Sequence, residues 1–176
     1  MSSDALYEPP LMPHLLVEGL NRYNDEPCLY LGDKVASYRE VREQTSQLVQ
    51  ALQSKGLGKG SRIAIISANR PEVLSNIAAM QLNGCIGTPL HPLGSLDDHA
   101  YVLEAAEIDT LVFDAAVFAD LAAALKARVP GLKNLLGFGP NEVGDDYLAL
   151  AQSFSHQPMV APDVYDEDVA SVNFTG

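Results

Sequence analysis

The stretch Ser61–Pro92, SRIAIISANRPEVLSNIAAMQLNGCIGTPLHP, constrains the fold of this chain more than any other. Arg62–Ile66 is a short, nearly continuous apolar run rich in β-branched residues, the pattern of a strand covered on both faces in a parallel sheet. The residues after it predict a helix. Asn69 reads as its cap, with Glu72 three residues on and Pro71 in the first turn, and Asn83-Gly84 marks its end. Val73, Ile77 and Met80 share one face of that helix, with Leu74, Ala78 and Gln81 on the neighbouring row. Cys85–Leu90 then returns to the sheet. A strand, a crossover helix and a parallel strand almost always form a right-handed unit, so this stretch specifies a topology as well as its elements.

The flanking sequence repeats the alternation. Pro13–Tyr23 predicts a short helix with Leu16 and Leu20 one turn apart, and Pro27–Leu31 with Val35–Ser37 predicts a hairpin around Gly32-Asp33-Lys34. Ser37 and Glu40 form a capping-box pattern opening a helix with Val41, Leu48 and Leu52 on its apolar face, ended by Gly56. Ser95 caps a further helix, Leu111–Phe113 is a short buried strand, and Phe118, Leu121 and Leu125 give the next helix its apolar face up to Pro130-Gly131. Leu135–Phe138 resumes the sheet, and Asp145 and Asp146 cap a short helix from Tyr147 to Phe154. Ser155–Asp168 reads as a linker and Val169–Phe174 as a strand. Helices alternating with strands in this way predict an α/β fold with a mainly parallel, Rossmann/flavodoxin-like layered sheet and helices on both faces. A chain of 176 residues is long enough for one substantial domain, taken here as residues 13–176, preceded by a flexible segment 1–12.

Charge narrows the partners. With 23 acidic against 11 basic residues the net charge is −12, and Lys and Arg cluster nowhere, so there is no basic footprint for nucleic acid or an anionic membrane. No apolar run is long enough for a membrane span, and residues 1–13 lack the basic start and apolar core of a secretory signal. Cys28 and Cys85 are far apart with no Cys-x-x-Cys pair, and they read as buried free thiols of a cytoplasmic protein.

Spacing alone reveals no catalytic centre. Gly56-Leu57-Gly58-Lys59-Gly60 runs from a helix into a strand, the reverse of a phosphate loop, whose anion sits on the free N–H groups of a helix start; it reads as a flexible connector. Asp97 and Asp98 occupy the first turn of a helix, where the macrodipole accounts for acidic residues. His14, His91, His99 and His156 are isolated in sequence, with no metal-ligand spacing. Arg70 reads as an exposed arginine next to a helix cap. Neither a nucleophile elbow nor a Walker loop nor a dinucleotide fingerprint is present.

A resemblance supplies what spacing does not. Ala36-Ser37-Tyr38-Arg39-Glu40-Val41, the run Leu52–Ala64, Asn69-Arg70-Pro71-Glu72, Gly84, Thr88-Pro89-Leu90-His91-Pro92 and Asn173-Phe174-Thr175-Gly176 occur in the order in which similar motifs occur in the AMP-forming acyl-CoA synthetases, a branch of the adenylate-forming superfamily that also contains the adenylation domains of peptide synthetases. The resemblance covers nearly the whole chain from Pro13. In that family a strand ending in Tyr-Thr-Ser-Gly leads into a loop rich in Gly, Ser and Thr that holds the ATP phosphates; here Phe174 stands for the Tyr, Thr175 for the Thr and Gly176 for the Ser.

The resemblance implies a two-step ligation using ATP, Mg²⁺ and CoA, with a fatty or similarly apolar acid suggested by the passage Pro89–Gly94. Thr175 and Gly176 are then the start of the phosphate loop and the cofactor-binding residues within this sequence; no catalytic or metal-binding residue is carried onto it. The family's remaining motifs lie downstream, so the resemblance also implies a fragment truncated at the start of that loop, inactive alone, with no cofactor bound, partnered by the remainder of its own chain and able to form a homodimer through exposed apolar surface. Two other readings stay open: the adenylation domain of a peptide synthetase or another acid ligase, and a self-contained flavodoxin-like binding module.

Overall fold

The computed structural model describes residues 10–174. In chain order these form α1 (Met12–Arg22), β1 (Pro27–Leu31), β2 (Lys34–Ser37), α2 (Tyr38–Ser54), β3 (Arg62–Ile66), α3 (Pro71–Leu82), β4 (Ile86–Pro89), α4 (Leu96–Ala105), β5 (Thr110–Phe113), α5 (Ala115–Arg128), β6 (Asn134–Gly137), β7 (Asp145–Asp146) and α6 (Tyr147–Gln152). β1 and β2 pair antiparallel as a hairpin of their own. The other five strands make one sheet in the order β4-β3-β5-β6-β7, and every pairing in it is parallel.

The side-chain alternation of β3 sets the layers. Ile63 and Ile65 enter one apolar cluster with Leu48, Ala51 and Leu52 of α2, Ala79 and Met80 of α3 and Tyr147 of α6. Ala64 and Ile66 enter a second with Ala100 and Leu103 of α4 and Ala122 and Leu125 of α5. Successive strand residues point to opposite faces, so a strand apolar at every position needs helices on both sides. The layered α/β fold expected from the sequence is the one observed. Leu48 and Leu52 are completely buried, which contributes about 2 kcal/mol each.

Local signals placed α2 and α4. Ser37 Oγ accepts from the Glu40 N–H at 3.3 Å while Glu40 Oε2 accepts from the Ser37 N–H at 2.7 Å, and Ser95 and Asp98 repeat the arrangement. Each pair satisfies two N–H groups that a helix start leaves free. Gly56, with φ of +73°, ends α2 in the left-handed region that a side chain disfavours.

Four expectations are corrected. Asn69 does not cap α3: Arg70 holds the N-cap position without a side-chain cap bond, and Pro71 alone starts the helix. The buried residues of α3 are Ser75, Asn76, Ala78, Ala79, Met80 and Leu82, whereas Leu74 and Ile77 are 52% and 43% exposed. Small residues let α2 approach closely, and Asn83 ties the two helices by donating to Val49 O and accepting from Gln53. The run Val169–Phe174 pairs with the sheet only by a parallel bridge between Ser171 and Gly87. Finally, α6 ends at Gln152, two residues short of Phe154.

Candidate functional site

In an open parallel sheet, ligands bind beyond the carboxyl ends of the strands where the connections diverge to opposite faces. Here α3 leaves β3 toward one face and α5 leaves β5 toward the other, so the crevice lies between the ends of β3 and β5. Arg70 fills it. Its Nη1 is 3.0 Å from Asp114 Oδ1 and donates to Phe138 O at 3.2 Å, while Nε and Nη2 contact the Glu72 carboxylate at 2.9 and 3.2 Å. The guanidinium carbon also lies 5.3 Å from the centre of the Phe138 ring.

One side chain thus joins the ends of β3, β5 and β6. The reading of Arg70 as exposed is corrected, for its side chain is only 22% accessible. Its hydrogen bond holds the Glu72 carboxyl below the usual carboxylate range, and the same contact raises the arginine's own pKa further. Asp114 also caps α5 by accepting from Ala116 N–H at 3.2 Å. Nothing in the local sequence pairs Asp114 with Arg70 44 residues away, although an aspartate between a buried strand and a helix is a capping signal.

Two depressions open at the carboxyl end of the sheet, the first of them beside this latch. One, about 420 Å³, is bounded by Tyr30 and Leu31 of the hairpin, the β3 end at Ser67–Asn69 and the exposed Leu74 and Ile77 of α3. The other, about 400 Å³, lies past the end of β4 between the 91–94 loop, α4 and Phe174. Phe174 meets Tyr101 of α4 edge-on at a ring separation of 6.2 Å, so the chain arrives at the carboxyl end of β4. Thr175 and Gly176, the expected start of a phosphate loop, lie outside the described residues.

The histidines remain apart. His91 is exposed and its Nδ1 accepts from Leu93 N–H at 3.2 Å; His156 is 3.8 Å from Glu43; His14 is exposed on α1. His99 is buried, and its Nε2 has no partner among the described residues. Its ring edge packs under Gly94, where a Cβ would come within 2.6 Å of Cε1. Burial pushes its pKa down against the opposing pull of Asp98. Asp97 pairs with Arg128, and Asp98 is engaged with Ser95. Among the described residues no three His, Cys, Asp or Glu side chains are placed to share a metal ion. Cys85 is buried, with its thiol pushed up to about 12 by desolvation and by Asp109, whereas Cys28 is only half-buried, a correction to its expected burial.

This architecture has known counterparts. The sequence profile of the AMP-binding enzymes matches residues 16–176. The chain belongs to the AMP-binding enzyme family. Among curated members it is 39% identical, over 99% of its own length, to the medium/long-chain fatty-acid–CoA ligase FadD8 of Mycobacterium tuberculosis, and covers 32% of that protein. It is 26% identical over 108 residues to surfactin synthase subunit 1 of Bacillus subtilis, covering 61% of this chain and 3% of that one. Among solved structures, the anthranilate CoA ligase AuaEII in complex with anthranoyl-AMP superposes with a TM-score of 0.86 at 18% identity, over 99% of this chain and 34% of that one, which shows the fold. The amide bond synthetase McbA from Marinactinospora thermotolerans gives 0.77 at 26% identity, over 91% and 31%. This AMP-binding enzyme sequence therefore spans about a third of FadD8 and of AuaEII.

Proposed function

We propose that these residues are the N-terminal part of an AMP-forming acyl-CoA ligase acting on a fatty or similarly apolar carboxylic acid. The observation that carries this reading is the 39% identity to a fatty-acid–CoA ligase across 99% of the chain. In the first step of such a reaction a carboxylate oxygen bonds to the α-phosphorus of ATP, and the bond to the β-phosphate oxygen breaks as pyrophosphate leaves. In the second, the CoA sulfur bonds to the acyl carbon, AMP leaves with the electrons of the carbon–oxygen bond, and the thiol proton passes to a base.

The part of these residues in that scheme is structural. The bridge between Gly87 and Ser171 sets Asn173-Phe174 at the carboxyl end of β4, and on this reading Thr175 and Gly176 start the phosphate loop. The charge of Arg70 is already committed to Glu72 and Asp114. Magnesium has no three-ligand acid or histidine set among the described residues. On this reading it arrives with ATP.

Residues 13–176 then form one α/β subdomain after the segment 1–12, whose first nine residues lie outside the described ones. It packs in the enzyme against the remainder of the same chain, and alone it turns over no substrate. The apolar side chains left exposed on α3 support self-association. No helix among the described residues is long and apolar enough to cross a membrane, and the unpaired thiols of Cys28 and Cys85 favour a cytoplasmic setting. The filled switch-point crevice weighs against a self-contained flavodoxin-like binder.

Pyrophosphate release, measured with ATP, CoA and fatty acids of graded length, tests the reading on the protein made from the whole reading frame that contains these residues. Activity with fatty acids and thioester formation is expected. The peptide-synthetase reading rests on the surfactin synthase match; activation of amino acids without CoA transfer would establish it instead. Turnover by the 176-residue chain would refute the claim that it is inactive alone.

A further inference from the structure

Lys59 sits in the glycine-rich connector between α2 and β3, at the amino end of the sheet. Its ammonium donates to Asp168 Oδ2 at 2.7 Å and to the main-chain oxygen of Asp163 at 3.0 Å, and it lies 4.9 Å from the centre of the Tyr165 ring. Asp168 closes the same turn, accepting from the Tyr165 N–H at 2.8 Å and returning its own N–H to Tyr165 O at 3.1 Å. The turn rests on Gly84, where a Cβ would meet Val164 Cγ1 at 3.2 Å and Lys59 Cα at 3.3 Å. Two residues after Asp168 the chain joins the free edge of β4: Gly87 N–H donates to Ala170 O at 3.1 Å and Val172 N–H to Gly87 O at 2.9 Å.

The bridge at Ser171 supplies only two backbone hydrogen bonds, and the packing of Val172 on the α4 side, which a slip by one residue would lose, adds a single partly buried side chain to them. The contacts of the preceding turn add to these. We propose that Lys59 is a positioning residue that clamps the Asp163–Asp168 turn to the amino end of β4, thereby setting the register in which Ser171–Phe174 run along β4 and bringing Phe174 onto Tyr101. The register is a property of this chain whatever its activity. Its consequence for catalysis, a correctly placed start of the phosphate loop, rests on the ligase reading.

The clamp accounts for a lysine in a connector that has the wrong order of elements to bind phosphate. It also accounts for linker residues that have no periodicity yet make specific contacts. Asp168 is held below the usual carboxylate range chiefly by its hydrogen bond to Lys59.

Amide hydrogen exchange on the 176-residue chain tests the clamp without reference to catalysis, so its failure is separable from failure of the ligase reading. An exposed ion pair with an added cation–π contact predicts about fivefold faster exchange at Gly87 and Val172 in Lys59→Met, with Ile65 and Val112 in the central strands unchanged. Lys59→Arg restores both rates to within about twofold, since arginine retains the pair and the ring contact. Asp168→Asn removes the pair from the other side and gives the same pattern should Lys59→Met fold poorly. The proposal is overturned by unchanged exchange at Val172, by a rise at Val172 and Ile65 together, or by failure of Lys59→Arg to rescue.

Discussion

Arg70 Nη1 and Asp114 Oδ1 meet at 3.0 Å across the ends of two adjacent parallel strands, with the aspartate side chain 8% exposed and the arginine 22%. Replacing Arg70 by Met leaves a buried carboxylate without its cation, which costs about 3 kcal/mol. Asp114→Asn is milder, at about 1–2 kcal/mol, because an asparagine oxygen still caps α5. Paired in one chain, the two changes cost less than their sum, for the charge and its unpaired partner disappear together. Urea midpoints of the four proteins measure this, and strict additivity would contradict the latch.

The same cluster gives a pH signature. The folded Glu72 carboxyl titrates below its unfolded value, so its contribution is fully present above about pH 4.5 and is lost as pH falls through the lowered folded value. Stability of the wild-type chain therefore declines with acidification in that range. Arg70→Met flattens the decline, because the arginine hydrogen bond is the largest cause of the shift. Equal slopes for both proteins between pH 5 and 3 would show that Glu72 is not stabilised by Arg70.

What the sequence could and could not show follows from the range of each interaction. Ser37 with Glu40 and Ser95 with Asp98 are three residues apart, so both capping boxes are readable as local patterns, and the apolar runs of β3 and β5 are readable because burial on both faces leaves no polar alternation. The interior face of α3 has no such signal: its apolar residues lie on more than one side, so no single stripe marks the core, and Ser75, Ala78 and Ala79 face inward because they are small. Val169–Phe174 has strand composition, but pairing depends on a partner 84 residues earlier. The Arg70–Asp114 and Lys59–Asp168 contacts are 44 and 109 residues apart and leave no periodic trace. The family of the chain was legible through short motifs, because their order along the chain carries information that no single spacing does.

Ser37 offers a test of local energetics. Its hydroxyl and the Glu40 carboxylate together satisfy two N–H groups at the start of α2, the helix that carries Leu48 and Leu52 into the core. Ser37→Ala lowers stability by about 1 kcal/mol, and Ser37→Gly by only a few tenths. Chemical denaturation with unchanged m-values checks both; equal losses would point to a role other than capping.

Gly94 and His99 form a steric pair with a charge consequence. Gly94→Ala places a methyl 2.6 Å from His99 Cε1, which costs about 1–3 kcal/mol as the 91–94 loop is forced away. Burial keeps the folded His99 pKa below 6.5, despite the opposing effects of the Asp98 charge and the Gly94 carbonyl and with His91 adding to the depression. Below pH 6.5 the unfolded chain binds a proton that the folded one refuses, so stability falls as pH drops from about 6.5 toward the folded value. His99→Leu removes that part of the pH dependence. A wild-type-like slope in His99→Leu would assign the dependence to another group.

Leu74 and Ile77 stand one helical turn apart on the outer side of α3, 52% and 43% exposed, beside Tyr30 at 70% and Leu31 at 44% on the hairpin. These side chains border one depression rather than scattering singly, and contiguous apolar surface of this kind promotes association. The net charge of −12 opposes it at long range, so screening by salt should favour the associated form. Sedimentation velocity is expected to show dimers or larger species growing with concentration and with salt. The double change Leu74→Glu and Ile77→Lys adds no net charge while removing the apolar contact, so it should restore the monomer without altering the unfolding free energy from urea titration by more than about 0.5 kcal/mol. If the wild-type chain stays monomeric at every concentration, the exposed face of α3 is not a self-association surface.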